Sequence, residues 1–360
     1  MKILQISSAS SFGGGERYVA DLTNALSARG HDLFVAVRPQ SPLPRHLQLA
    51  PEKILTLPLR NALDVPSAYQ LDRFVRRQRI EIVHAHMARD YSLAAYAARR
   101  TRGVKFIVTR HVLFQLNRMH RHTLARATRV IAVSNAVARE LRAQRILNEK
   151  QIAVIPNGVD IDRFERALAE FDRSEFLRGM DLPAACLLVG SIGELRTLKR
   201  HDDFIRAAAL VPGAHFVLAG VGEIREQLER LVVELKLTDR FHFLGWLDEP
   251  EKLLGALDVF VSASETESFG LAIVEAMAAA TAVVATATEG AQEVIEDQQT
   301  GILVPIGDVE TIARSVRILL EDPEKRRALA SQSAQSAVNK FSLQRMVDDI
   351  EAVYNTDLHG

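Results

Sequence analysis

The sequence predicts an α/β protein made of two doubly wound domains, and three observations carry that expectation. Short apolar runs alternate with amphipathic segments along the chain, the pattern of parallel strands covered by helices. With 360 residues, the chain exceeds what one hydrophobic core usually serves. Its charge is also divided. Residues 1–164 carry 26 Lys and Arg against 12 Asp and Glu, a balance of +14, while residues 165–360 carry 19 against 33, a balance of −14.

In the first half the strand-like runs are residues 3–7, 33–37, 80–85, 106–109, 130–133 and 152–155, with helices expected at about 16–29, 69–79, 91–99 and 135–143. A second series of strands opens at 187–190 and continues through 216–219, 241–244, 259–261 and 283–285. Between Pro156 and Pro183 the strand signals stop and charged residues collect, which marks the join. The expected domains are therefore 1–164 and 165–342. A closing helix within 343–360, apolar at helical spacing over 343–354, is expected to pack back on the first domain. Ligands of such folds bind beyond the carboxyl ends of the strands.

The most informative stretch is Ser268–Phe269–Gly270–Leu271–Ala272–Ile273–Val274, flanked by Glu267 and Glu275. A helix starting near Ser268 would present free N–H groups and its positive dipole end from this turn, a seat for phosphate or sugar oxygens. Glu267 would then stand at the mouth and Glu275 two turns along, where carboxylates accept hydrogen bonds from sugar and ribose hydroxyls. Upstream, Gly13, Gly14 and Gly15 follow the first strand and let backbone approach a ligand closely at a helix N-terminus. They do not make a nicotinamide fingerprint, because counting on from Gly13 and Gly15 the third glycine position is Tyr18.

Arg196 and Lys199 precede or open the helix after the strand near 187–191, where two cations would stabilise negative charge on a ligand. Gly193, Gly220 and Trp246 follow strands and fall on the same rim. His84 and His86 face one side of a strand without a third ligand of metal-site spacing, so they read as strand-end polar residues. Asp160 and Asp162 superficially resemble a metal-binding acid pair. They follow the turn-forming Pro156–Asn157–Gly158 and read as polar groups of a hinge.

Taken in order, these motifs resemble the retaining family 4 glycosyltransferases of GT-B fold, over nearly the whole chain. The glycine run at Gly13, the Ile155–Pro156–Asn157–Gly158–Val159–Asp160 exit segment, the Gly193 to Lys199 loop and the Glu, seven residues, Glu signature each have counterparts there. The resemblance implies two Rossmann-like domains with a cleft between them and a nucleoside diphosphate sugar as substrate. It also implies retention of anomeric configuration and no cofactor or catalytic metal. On that basis His111, at the end of the strand near 106–109, contacts the transferred sugar and acts with Glu267, Arg196 and Lys199 in catalysis. Glu275, Ser268, Phe269, Gly270, Leu271, Gly220, Gly193 and Trp246 hold the donor, and Gly13, Gly14 and Gly15 form an acceptor or phosphate loop. Two departures stand out: Glu194 occupies the place where the family commonly has Arg, and Ala279–Ala280–Thr281–Ala282 replaces a usual glycine and proline.

A single cysteine, Cys186, excludes an internal disulfide, and neither a leader-like N-terminus nor a spanning apolar run is present, so a cytoplasmic protein is expected. The basic first half points either to an anionic partner or to attraction between the two domains. Its arginines cluster at Arg73, Arg76, Arg77 and Arg79, at Arg99, Arg100 and Arg102, and at Arg118, Arg121, Arg126 and Arg129 among Met119, Leu124 and Val130. This favours a lipid-linked or otherwise anionic acceptor, with an anionic membrane inner face as candidate partner and no nucleic acid. Rival readings are a sugar-nucleotide epimerase, a phosphorylase on the same scaffold, or a silent sugar-nucleotide binding module.

Overall fold

β-branched and aliphatic runs too apolar to face water on either side form the strands of two all-parallel sheets. The computed structural model describes residues 1–115 and 118–356, with Arg118 and Met119 as backbone only. The last four residues assigned to the closing helix, 357–360, lie outside the described residues, as do the side chains of Arg118 and Met119 from the third arginine cluster.

The first unit contains β1 (Lys2–Ser7), α1 (Gly14–Ala28), β2 (Asp32–Val37), β3 (Ile54–Thr56), α2 (Val65–Gln78), β4 (Ile82–Ala85), α3 (Tyr91–Arg99), β5 (Lys105–Arg110), α4 (Arg118–Leu124), β6 (Arg129–Ala132), α5 (Asn135–Ala143) and β7 (Ile152–Val154). Its strand order is β3-β2-β1-β4-β5-β6-β7. The order reverses at β1, with Gln5 paired to Val35 on one side and to His84 on the other, so the switch point lies between β1 and β4. The short strand β3 escapes sequence reading because three residues carry no periodicity. Helix α2 starts at Val65 rather than near Tyr69, because the Asp64 carboxylate accepts the Ser67 N–H at 3.2 Å and Pro66 suits a first turn.

The second unit contains α6 (Ile161–Leu168), α7 (Arg173–Gly179), β8 (Leu187–Ile192), α8 (His201–Ala209), β9 (Ala214–Ala219), α9 (Arg225–Glu234), β10 (Phe241–Gly245), α10 (Pro250–Ala256), β11 (Val259–Ser262), α11 (Leu271–Ala278), β12 (Ala282–Thr286), α12 (Glu289–Val294), β13 (Ile302–Val304), α13 (Val309–Glu321) and α14 (Pro323–Phe341). Strand order β10-β9-β8-β11-β12-β13 places its switch point between β8 and β11. One buried cluster, including Val189, Phe204, Phe216, Leu218, Val261 and Val284, fills the space between this sheet and its helices.

A last helix, α15 (Leu343–Asn355), belongs to the first unit. Its Met346, Val347, Ile350 and Tyr354 are buried with Ile3, Leu22 and Val35, and Arg29 at the end of α1 binds Asp348 at 2.6 Å and Glu351 at 2.7 Å. The chain passes into the second unit between Gly158 and Val159, ahead of the boundary expected at 164. Helix α6 accounts for the difference, since its Arg163 pairs with Glu251 of α10 at 2.6 Å. Asp160 caps α6 by accepting the Arg163 N–H at 3.1 Å.

Candidate active site

In the second unit, the turn after β11 is built around Glu267. Lys199 Nζ donates to Glu267 Oε1 at 2.6 Å, and the Ser264 hydroxyl donates to the same oxygen at 2.8 Å. Two further bonds fix this meeting. The Glu265 N–H donates to the Leu198 carbonyl at 2.9 Å, tying the turn to the one that carries Lys199, and the Thr286 hydroxyl donates to the Ser264 carbonyl at 2.6 Å. Helix α12 supports the turn from the other side, the Gly290 N–H donating to the Glu267 carbonyl at 3.1 Å. A Cβ at position 290 would lie 2.6 Å from both the Glu267 oxygen and the Phe269 nitrogen, so only glycine allows this approach.

Helix α11 begins at Leu271, not near Ser268, because Gly270 caps it in the left-handed region with φ 96°. Ser268, Phe269 and Gly270 instead form the turn, which carries the Phe269 ring into the interior against Phe341 at 5.7 Å. Phe269 therefore offers a ligand its backbone and not its ring. Ile273 and Val274 donate to the Gly270 carbonyl, and the N–H groups of Leu271 and Ala272 before them have no partner among the described residues, which leaves them for an outside acceptor. Glu275 is buried on the second turn of α11.

The loop after β8 lies against the loop after β9. The Gly193 N–H donates to the Ala219 carbonyl and the Leu195 N–H to the Val221 carbonyl, both at 3.0 Å. Gly220 has φ 146°, and a Cβ there would fall 1.9 Å from the Gly193 oxygen, so the glycine is needed for the contact between the loops. Arg196, placed by sequence as a diphosphate cation, pairs with Glu194 at 2.7 Å on the surface. Trp246 is 42% exposed after β10, its indole N–H donating to Asp248 at 2.9 Å.

In the first unit, Gly13 caps α1, its N–H donating to Glu16 at 3.0 Å, and Gly14 and Gly15 form the first turn. The Ser8 N–H, where β1 ends, donates to buried Asp90 at 2.9 Å. His111 follows β5 with its ring edge-on to Tyr18, centroids 4.7 Å apart, and 5.8 Å from His86. Burial, reinforced by neighbouring Arg110, lowers its pKa to about 3, so the ring is neutral near pH 7. Its enclosed Nε2 has no hydrogen-bond partner among the described residues.

His84 and His86 lie beneath this group in a buried polar network. His84 bonds the Tyr354 hydroxyl and the Thr109 hydroxyl, each at 2.7 Å, and His86 Nε2 bonds Gln5 Oε1 at 2.7 Å. Among the described residues no three His, Cys, Asp or Glu side chains gather as a metal cluster.

Within the second unit the structure thus brings Lys199, Glu267 and the α11 turn together, while Arg196 is turned to Glu194. His111 and the glycine run belong to the first unit. Sequence reasoning missed Ser264, Arg200 and His201. Ser264 carried a faint signal, a hydroxyl three residues before Glu267. Arg200, at φ 47°, binds Asp203 at 2.6 Å, and buried His201 holds the Glu194 carbonyl at 3.2 Å with its pKa lowered to about 4 mainly by burial. Neither could be told from ordinary helix-start residues.

Two doubly wound parallel units with these loops at their strand ends define a GT-B protein, and family models agree. One described as "Glycosyltransferase Family 4" matches residues 12–163, and one described as "Glycosyl transferases group 1" matches residues 180–336. The chain belongs to the family 4 glycosyltransferases. It is 31% identical over 340 residues to the lipopolysaccharide core biosynthesis glycosyltransferase LpsE of Rhizobium meliloti, covering 93% of this chain and 94% of that one. It is 28% identical to N-acetyl-alpha-D-glucosaminyl L-malate synthase of Bacillus anthracis, covering 81% of this chain and 78% of that one. Among solved structures, Anabaena Alr3699/HepE in complex with UDP and glucose superposes with a TM-score of 0.86 at 22% identity, over 98% of each chain.

Proposed function

We propose that this glycosyltransferase moves a hexosyl group, with retention of configuration, from a nucleoside diphosphate sugar to a hydroxyl of a growing cell-envelope polysaccharide or glycolipid. It works at the cytoplasmic face of the membrane as a peripheral enzyme. The 2.6 Å contact of Lys199 with Glu267 beside the open N-terminus of α11 carries this reading. An ammonium and free helix N–H groups together suit a diphosphate. The name of LpsE supports an envelope acceptor, and the UDP and glucose bound by HepE support the donor class.

In this reading the anomeric carbon–oxygen bond to the diphosphate breaks while the acceptor oxygen bonds that carbon on the same face. The acceptor proton passes to the leaving diphosphate oxygen. Lys199 and the α11 N–H groups stabilise the charge that gathers there, the electrostatic task a metal ion performs in other transferases. Glu267 aligns Lys199 and accepts a sugar hydroxyl, Glu275 accepts ribose hydroxyls, and neutral His111 offers Nε2 to the transferred sugar.

The test incubates the enzyme with UDP-glucose and related donors and with truncated lipopolysaccharide as acceptor, before and after EDTA treatment. A product whose anomeric proton keeps the donor configuration by NMR, formed equally after EDTA, is expected. An inverted product, or activity lost to EDTA and restored by manganese or magnesium, would overturn the mechanism. Donor conversion without acceptor, or only with inorganic phosphate, would point to an epimerase or a phosphorylase.

A further inference from the structure

The buried polar network of the first unit joins the last helix to His111, and its hydrogen bonds run in one direction. The Gln5 side-chain N–H donates to the Tyr354 hydroxyl at 3.4 Å, while Gln5 Oε1 lies 2.7 Å from His86 Nε2. An amide oxygen only accepts, so His86 carries its proton on Nε2. The Tyr354 hydroxyl, already accepting from Gln5, gives its single proton to His84 Nδ1 at 2.7 Å. His84 then holds its own proton on Nε2 and donates it to the Thr109 hydroxyl, also at 2.7 Å. Thr109 in turn donates to the Tyr18 hydroxyl at 3.3 Å. Tyr18 ends the series with its ring edge-on to His111, centroids 4.7 Å apart. Such a series needs both histidines neutral, and burial lowers the pKa of each well below its ordinary value.

The anchor of the series is the last turn of α15. Tyr354 is fully buried, and its carbonyl accepts from Lys105 Nζ at 2.6 Å. One turn earlier Glu351 binds His31 at 2.6 Å and Arg29 at 2.7 Å, which holds the helix end against α1. Lys105 and Thr109 lie on one face of β5, and His111 follows two residues further on. One strand therefore carries the clamp on Tyr354, a link in its hydrogen-bond series and the histidine of the site.

From this geometry we propose that Tyr354 is a positioning residue for the reaction: its hydroxyl fixes the tautomer of His84 and, through Thr109 and Tyr18, holds His111 where it meets the transferred sugar. Without that hydroxyl His84 is free to take its proton on Nδ1. Thr109 then turns its own proton to His84 Nε2, and the Tyr18 oxygen loses its donor. The ring that bears on His111 is no longer fixed, and the rate falls although nothing at the donor-binding turn has changed. The proposal rests on the role given to His111 above, but the states of His84 and His111 can be measured without any reaction.

The test compares the parent with Tyr354→Phe, which removes only the hydroxyl, and with Ile350→Val, which loosens the buried face of the same helix without touching the network. Nitrogen–proton NMR correlations of the imidazoles, assigned with His84→Gln and His111→Gln, should show His84 protonated on Nε2 in the parent and in Ile350→Val. In Tyr354→Phe the His84 proton should move to Nδ1 and the His111 signals should shift. With UDP-glucose and truncated lipopolysaccharide, Tyr354→Phe should lower kcat about tenfold or more, since small displacements of a group at the reacting centre are costly in rate. Its affinity for UDP, measured by calorimetry, should stay that of the parent. Ile350→Val should melt earlier yet keep the parent kcat. Thr109→Val should also lower kcat, and joined to Tyr354→Phe it should lose no more than the worse single change, because both act through one series. A parent His84 protonated on Nδ1, or a Tyr354→Phe variant with the parent kcat or unmoved His111 signals, would overturn the proposal. So would an equal loss of kcat in Ile350→Val, which would reduce the role of Tyr354 to packing, or additive losses in the double variant. Absence of transfer by the parent would instead refute the proposed function, and the His84 and His111 signals would still decide whether Tyr354 positions His111.

Discussion

Lowering the pH from about 8 to about 5 should strip stability from the first unit through its buried histidines, by an amount that follows from their surroundings. His84 is lowered to about 3, by burial first and His111 second, and His86 also lies well below the usual range, for burial first and then the neighbouring histidines. In an unfolded chain both would bind a proton near 6.5. Their contribution is therefore fully present above about 6.5 and is lost as the pH falls toward their folded values. At about pH 5 His84 favours the unfolded chain by about 2 kcal/mol, and His86 acts in the same direction. His111, lowered to about 3 by burial first and Arg110 second, adds about 2 kcal/mol in the same direction. Asp90 acts in the opposite sense. Burial raises its carboxyl to about 6 against the opposing Ser8 bond, so the folded state takes up its proton first and gains about 1 kcal/mol at about pH 5. The net loss before His86 is counted is about 3 kcal/mol, a large share of the 5–15 kcal/mol typical of a whole domain. Urea unfolding followed by circular dichroism across this range measures it. His84→Gln should be less stable than the parent at about pH 8, having lost its bonds to Tyr354 and Thr109, yet its loss on acidification should shrink by about 2 kcal/mol. A parent whose stability is level across the range, or a variant with the parent's pH dependence, would refute the reasoning.

Two further outcomes are expected. Glu275→Gln and Lys199→Ala should each weaken donor binding by about 1.5–3 kcal/mol, the value of a hydrogen bond to a charged group. Titration calorimetry with UDP-glucose checks this, and parent-like affinity in both variants would remove them from the donor site. Gly220→Ala should destabilise the second unit by more than about 2 kcal/mol, because a Cβ 1.9 Å from the Gly193 oxygen forces the two loops apart. An unchanged melting temperature would contradict that close approach.

Much of the fold was legible because parallel strands buried on both faces announce themselves as apolar runs. The helices Tyr91–Arg99 and Asn135–Ala143 stand where periodicity put them, the second with Ser134 as its cap. What sequence missed was short or held by tertiary contact. Strands β3 and β13 have three residues each and exist through their ladders with β2 and β12. The start of α11 was placed early because Ser268 resembles an N-cap, whereas burial of Phe269 prolongs the turn until Gly270 can close it. In the site, the spacing of Glu267 and Glu275 marked the right turn. No spacing rule could reveal that Lys199, 68 positions from Glu267, reaches its carboxylate, because that contact depends on the bond between Glu265 and Leu198 across adjacent loops.

The same contact bears on the departure at Glu194. Cations of the second unit's site are each balanced within it: Arg196 by Glu194, Lys199 by Glu267, and Arg200 by Asp203 with Glu265 at 3.8 Å. On the proposed reading these pairs do not serve a diphosphate equally. Arg196 lies in an exposed pair, where solvent weakens both the attraction and any field it exerts on a ligand. Lys199 is half-buried, and its ammonium has three donors, so it can keep one on Glu267 while turning the others to phosphate oxygens. Ser264 and the Leu198 bond fix Glu267 and Lys199 beforehand, so little reorganisation is needed when negative charge builds on the leaving group. The positive end of α11 has no capping side chain to offset it. A carboxylate at position 194 can therefore neutralise the neighbouring arginine without emptying the site of positive potential, because the potential that matters comes from the half-buried lysine and the helix.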